Sequence, residues 1–203
     1  RLNIRTICFN FMAHIGWLRT SSEILERGGA LVTGFRLADF REIDAEIDEK
    51  ALWDNYTYFI KAVLLYAEKH GIQLAVHPDD PPLERLGKVC RIMTSPQNIS
   101  PAMNIVPSRN LGITMCQATF AMMGADLYDT IRQFKDQIFF VHFRNVTGNK
   151  WDFRETFHDH GDLDMAALIA YYRRQKIDVP IRVDHVPSMA GEDNGTPGYT
   201  ALG

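Results

Sequence analysis

Apolar residues fall along this chain in two kinds of pattern. Five short runs are continuously apolar and rich in β-branched or aromatic residues: residues 4–11, 72–77, 111–116, 137–143 and 180–184. Runs without in/out alternation predict strands covered on both faces, as in parallel sheets. Between them a longer period takes over. Over residues 52–67 the apolar positions, from Leu52 and Tyr56 to Leu64 and Ala67, recur three and four residues apart, which predicts one buried helix face. His70-Gly71 then reads as the helix stop before the next strand. Residues 126–134 and 163–172 show shorter helical patterns, the second with Asp162 or Asp164 as its N-terminal cap.

Strands alternating with helices imply an α/β fold with parallel strands. No glycine-rich phosphate loop follows any of the runs, which argues against the dinucleotide-binding form. A closed (β/α)8 TIM barrel takes about 250 residues and eight strands. With 203 residues and five strand-like runs, the expectation is one (β/α)-barrel domain over residues 1–203, incomplete within this chain, its N-terminal strands and C-terminal tail lying outside it. Residues 19–48 combine Gly28-Gly29 with many charges and no evident strand, and read as an irregular insertion. Residues 94–110, with Pro96, Pro101 and Pro107, form a second long connection.

Composition narrows the class. The chain is 46% hydrophobic and 23% charged, ordinary usage for a soluble domain with one sizeable core. A net charge of −3 and a pI near 6.2 argue against a nucleic-acid partner. No apolar run reaches the roughly 18–20 residues of a membrane span, and the N-terminus lacks a signal-peptide layout. Three cysteines are too few and scattered for a disulfide framework, so the thiols are expected reduced and the protein cytoplasmic. Cys8 and Cys90 read as small buried hydrophobes.

The chemistry gathers where the strand-like runs end. One run ends in His77, the next in Cys116, the next in His142 and the last in Asp184-His185. In parallel α/β architectures these carboxyl ends face the functional site. Taken singly, each residue has an ordinary structural reading; four strand ends delivering imidazole, thiolate, imidazole and carboxylate to one face point to a divalent metal. Two imidazoles and a thiolate suit zinc, whereas a chelating hydroxy acid favours six-coordinate manganese or iron. The residues alone leave both open. Arg144, just past His142, has the fork geometry to clamp a substrate carboxylate. Tyr199 follows a Gly/Asn-rich loop and reads as part of a lid.

Several motifs occur together and in order: Asn10-Phe11-Met12 with Trp17 and Arg19-Thr20; His77-Pro78-Asp79-Asp80-Pro81-Pro82; Thr114 with Cys116; and His142-Phe143-Arg144. They continue with Phe153, Glu155 and His158 leading to Gly161-Asp162-Leu163-Asp164-Met165, then Asp184-His185 and Pro197-Gly198-Tyr199. This series resembles the mannonate dehydratase family of hexuronate (glucuronate) catabolism. It departs from the family pattern at Ala13, Gly16, Ala118-Thr119 and Val183. The resemblance implies a xylose-isomerase-like barrel, a Mn2+ or Fe2+ ion, and a hydro-lyase converting D-mannonate to 2-keto-3-deoxy-D-gluconate. It places the metal on the same four residues, His77, Cys116, His142 and Asp184. Asn10, Trp17, Arg144 and His158 are then expected to bind the sugar acid, and His185 and Tyr199 to share the acid and base roles, in either order. A homodimer is the expected assembly. The alternatives are a divergent sugar-acid dehydratase, an isomerase or epimerase on the same barrel, and a non-catalytic truncated paralogue.

Overall fold

A computed structural model describes residues 3–192 and Pro197. The chain opens with β1 (Thr6–Phe9), then β2 (Ser21–Leu25), β3 (Leu31–Arg36) and helix α1 (Glu49–His70). After β4 (Gln73–Val76) come the two-residue strands β5 (Arg85–Leu86) and β6 (Val89–Cys90) and helix α2 (Pro96–Ala102). β7 (Leu111–Cys116) runs directly into α3 (Gln117–Met122) and α4 (Leu127–Phe134). The chain continues through β8 (Ile138–His142), β9 (Val146–Asn149), β10 (Asp152–Glu155), α5 (Met165–Arg174) and β11 (Ile181–Arg182).

The five apolar runs become the five strands of one parallel sheet, ordered β1-β4-β7-β8-β11. Chain order equals spatial order, the arrangement of a (β/α)8 barrel. A flat sheet would hold β1 and β8 about 14 Å apart, at 4.7–4.9 Å per strand. Here their Cα atoms approach within 8 Å, so the sheet is curled. The central strand β7 is buried at every residue, which explains its lack of alternation. Gly112 is required there, because a Cβ would run into the Gln137 carbonyl and the Phe139 ring.

Helix α1 forms where the period predicted it, longer by a turn at the start. Asp48 caps it by accepting the Ala51 N–H at 2.7 Å. Gly71 ends it in the left-handed region, at φ 65°. Its buried stripe of Leu52, Tyr56, Ile60, Leu64 and Ala67 joins the main core against the sheet. Asp164, rather than Asp162, caps α5 through the Ala167 N–H. The proline-rich connection contains α2, started by the Ser95 cap and Pro96.

Two expectations are corrected. Residues 19–48 are not strandless: β2 and β3 form an antiparallel pair, turning at Gly28 and Gly29 with φ of 70° and 81°. They continue into the β9–β10 hairpin, giving a second sheet ordered β2-β3-β10-β9. β2 is mostly exposed, and β10, the other partner of β3, lies more than a hundred residues away. Such strands are fixed by cross-strand pairing rather than by their own pattern. Cys8 is exposed rather than buried, because β1 is an edge of the parallel sheet. Partial desolvation by its neighbours still raises its thiol pKa, against the smaller opposing effects of Thr114 and Arg182. Among the described residues, no helix is long and apolar enough to cross a membrane.

The second sheet has its own small core, with Phe35, Val146 and Phe153 packed alongside Leu83, Leu86, Ala118 and Met122. Ala118 and Met122 belong to α3, immediately after Cys116. The insertion therefore sits on the carboxyl side of the parallel strands, over the site.

Candidate metal centre

His77 follows the last residue of β4, while Cys116 and His142 end β7 and β8 and are direct register partners. Their donor atoms all lie within 4.8 Å of one another. His77 Nε2 and His142 Nδ1 are 3.1 Å apart, and the other nitrogen of His77 meets the Pro78 carbonyl at 2.6 Å. Asp184 stands two residues beyond β11, in the left-handed region at φ 66°, a conformation that costs a non-glycine residue strain. That backbone turn aims its carboxylate at His142, with Oδ2 3.3 Å from Nδ1.

These four residues fit a divalent cation on two independent grounds. First, Asp184 Oδ2 is buried and has no aligned hydrogen bond, although His142 and Arg144 lie 3.3 and 3.2 Å away. A buried carboxylate oxygen held by charged neighbours but lacking an aligned hydrogen bond is suited to bind a cation. Second, a divalent ion would balance the surrounding charges. Arg19 and Arg144 offset Asp80 and Glu155, all four nearly fully buried. Two anionic donors, Cys116 and Asp184, are then left facing two imidazoles. A doubly charged ion neutralises them.

The protonation tendencies agree. Burial alone would raise the Cys116 thiol, but Arg144, His142 and His77 hold its pKa well below the ordinary value. Burial likewise opposes ionisation of Asp184, yet His142, His185 and Arg144 keep it far below the usual carboxylate range. Burial works against charging His142, and contact with Asp184 and Cys116 outweighs it, carrying its pKa up to about 9.

Around the donors lies a shell of charged groups whose partners are far apart in sequence. Arg19 forks onto Asp80 at 2.8 and 2.9 Å and reaches Glu155. Glu155 Oε1 meets His185 Nδ1 at 3.0 Å, and the edge of the Trp17 ring packs on His185 at 5.0 Å. The Arg19 guanidinium stacks over Trp17 at 4.6 Å and Phe153 at 4.7 Å. Arg144, expected to clamp a carboxylate, is 0% exposed. Its Nη1 bonds both oxygens of Glu155, its Nη2 bonds Asp80 and Thr119, and its Nε bonds Cys116. Its fork therefore faces the donors and the buried carboxylates, not an open cleft.

His158 stacks on Phe143 at 6.3 Å and contacts the Val183 carbonyl at 3.2 Å, next to Asp184. Asn10 follows β1 and lines a cavity of about 400 Å3 with Phe9, Phe11, Met12, Asn55 and Phe59; it comes one residue after Phe9, whose carbonyl accepts the His77 N–H at 2.6 Å. Tyr199 lies outside the described residues. The sequence reading gave no role to Arg19, Asp80 and Glu155. Asp80 had a signal, three residues after His77, but nothing local pairs it with an arginine sixty-one residues earlier.

The family model for D-mannonate dehydratase (UxuA) matches residues 33–203. The mannonate dehydratase of Streptococcus equi subsp. zooepidemicus (strain MGCS10565) is 31% identical over 232 residues, taking in 98% of this chain and 64% of that protein. Mannonate dehydratase 2 of Halalkalibacterium halodurans is 34% identical, over 97% of this chain and 66% of that protein. The crystal structure of mannonate dehydratase from Streptococcus suis serotype 2 superposes with a TM-score of 0.89 at 32% identity, covering 98% of this chain and 61% of that one. A D-tagatose 3-epimerase-like protein, at 17% identity and a TM-score of 0.51, shares the barrel fold alone. This chain spans less than two thirds of the length of these mannonate dehydratases. On the family match over most of its length and the close superposition, the chain belongs to the mannonate dehydratase family.

Proposed function

We propose that this chain carries the metal centre of a hydro-lyase that dehydrates D-mannonate to 2-keto-3-deoxy-D-gluconate, in the glucuronate route, with Mn2+ or Fe2+ as the ion. The observation that carries this reading is the donor cluster of His77, Cys116 and His142, within 4.8 Å, beside a buried Asp184 oxygen that makes no aligned hydrogen bond. Membership in the family supplies the substrate class. Three free cysteines accord with a reducing, cytoplasmic setting.

Dehydration of a 2,3-dihydroxy acid removes the C2 proton and expels the C3 hydroxyl. A divalent ion held by His77, Cys116, His142 and Asp184 would supply Lewis acidity to this chemistry. The protein must move two protons. His185 is our candidate for one transfer: its Nδ1 meets Glu155 at 3.0 Å and its Nε2 lies 3.9 Å from Asp184 Oδ1. Trp17 walls the ring on its other flank. Tyr199 is our candidate for the second proton. Asn10, Trp17 and His158 are our candidates for contacts to the sugar-acid chain.

The test is to load this chain with Mn2+ or, anaerobically, Fe2+, and offer D-mannonate and a panel of other aldonic acids. We expect metal-dependent formation of the 2-keto-3-deoxy acid from mannonate, falling at least 100-fold in His185→Ala. Turnover of another aldonic acid but not mannonate would overturn the substrate. Undiminished turnover by His185→Ala would remove His185 from the chemistry.

A further inference from the structure

Cys116 is held on two sides by side chains that the dehydration chemistry leaves without a part. Arg144 Nε donates to its sulfur at 3.3 Å, and the Thr119 hydroxyl donates to it at 3.1 Å. Arg144 Nη2 also donates to Thr119 Oγ1 at 2.9 Å, closing a ring of three hydrogen bonds. All three residues are 0% exposed. The ring is anchored from outside, since Arg144 Nη1 bonds both Glu155 oxygens at 2.8 Å and Nη2 bonds Asp80 at 2.6 Å. Arg144 Nε lies 3.2 Å from Asp184 Oδ2 as well, so one guanidinium touches both anionic donors. Local sequence delivers the parts together: Thr119 is one helical turn past Cys116, and Arg144 is two residues past His142.

We propose that Arg144 and Thr119 form a clamp that fixes the Cys116 sulfur as a metal donor, and that Arg144 is a positioning residue rather than the group that binds the substrate carboxylate. The proposal rests on the metal-centre reading above. For Arg144 to bind a substrate carboxylate it would have to release Glu155 or Asp80, leaving a buried carboxylate unpaired. As a clamp it works with every partner in place. Outer-shell groups of this kind typically govern metal affinity by 10–100-fold.

The probe is Co2+ added to this chain, read by its dissociation constant and by the thiolate-to-cobalt charge-transfer band. The parent protein should show the band. Arg144→Lys keeps the charge, but one ammonium cannot replace a fork reaching Cys116, Glu155 and Asp80 together. We expect its cobalt affinity to fall about 10–100-fold, with a weakened or shifted band. Thr119→Val should move both readouts in the same direction by less, and it decides the matter alone if Arg144→Lys does not fold by circular dichroism. Parent-like affinity and band in the folded variants would overturn the clamp. Cobalt bound by the parent protein without a thiolate band would instead overturn the metal-centre reading itself.

Discussion

At the scale of single residues, the site is a problem of buried charge. Six ionic side chains, Arg19, Asp80, Cys116, Arg144, Glu155 and Asp184, meet with little or no exposure. None is tolerable alone. Glu155 shows how the set is coupled. Burial would raise its pKa, but Arg144, Arg19 and His185 bring it down from 4.5 to about 2. A folded-state pKa below the unfolded one means stability that is fully present above about pH 4.5 and is lost as pH falls through about 2. Glu155→Gln should therefore be less stable than the parent at neutral pH, and its stability should fall less steeply between pH 4.5 and 2. Urea melts across that range check this; an unchanged slope would mean that Glu155 is not the group being titrated. The strand-end donors were legible from sequence because each closes an apolar run. Arg19 and Glu155 were not, since Arg19 acts through Asp80 and Glu155, both more than sixty residues away, and Glu155 carries no local pattern of its own.

At the scale of elements, legibility followed how local the stabilising pattern is. The parallel strands and α1 carry their own signatures: unbroken apolar runs, a three- and four-residue stripe, an aspartate cap and a glycine stop. β2, β3, β9 and β10 carry none, because antiparallel strands of this sheet depend on their neighbours for pairing and burial. That sheet brings Arg19, adjoining β2, and Glu155, the last residue of β10, to the strand ends. The element most sensitive to change is β7, which places Cys116 at its end. Gly112 packs against the Gln137 carbonyl and the Phe139 ring with no room for a methyl group. Gly112→Ala should force β7 and β8 apart, costing about 1–3 kcal/mol as overpacking, and weaken metal binding as Cys116 and His142 lose register. Thermal melts and a metal titration measure the two effects. A variant with parent-like stability and affinity would show that the β7–β8 spacing does not set the site.

At the scale of the whole molecule, the chain is a curled five-stranded parallel sheet capped at its carboxyl side by a second sheet, and the candidate centre lies between them. The alternation of strand and helix foretold the first layer and its order. The second layer came from the segment that looked least structured. The stretch of 232 residues aligned with one relative exceeds this chain's 203, so that relative carries insertions that this version of the fold does without. The central claim is that those donors hold one divalent ion, with a single sulfur among its ligands. X-ray absorption at the metal edge of the Mn2+-loaded protein tests it most directly. The account predicts one ion per chain with one sulfur scatterer among nitrogen and oxygen, the sulfur vanishing in Cys116→Ser. A shell of nitrogen and oxygen alone in the parent protein, or a sulfur signal that survives Cys116→Ser, would contradict it.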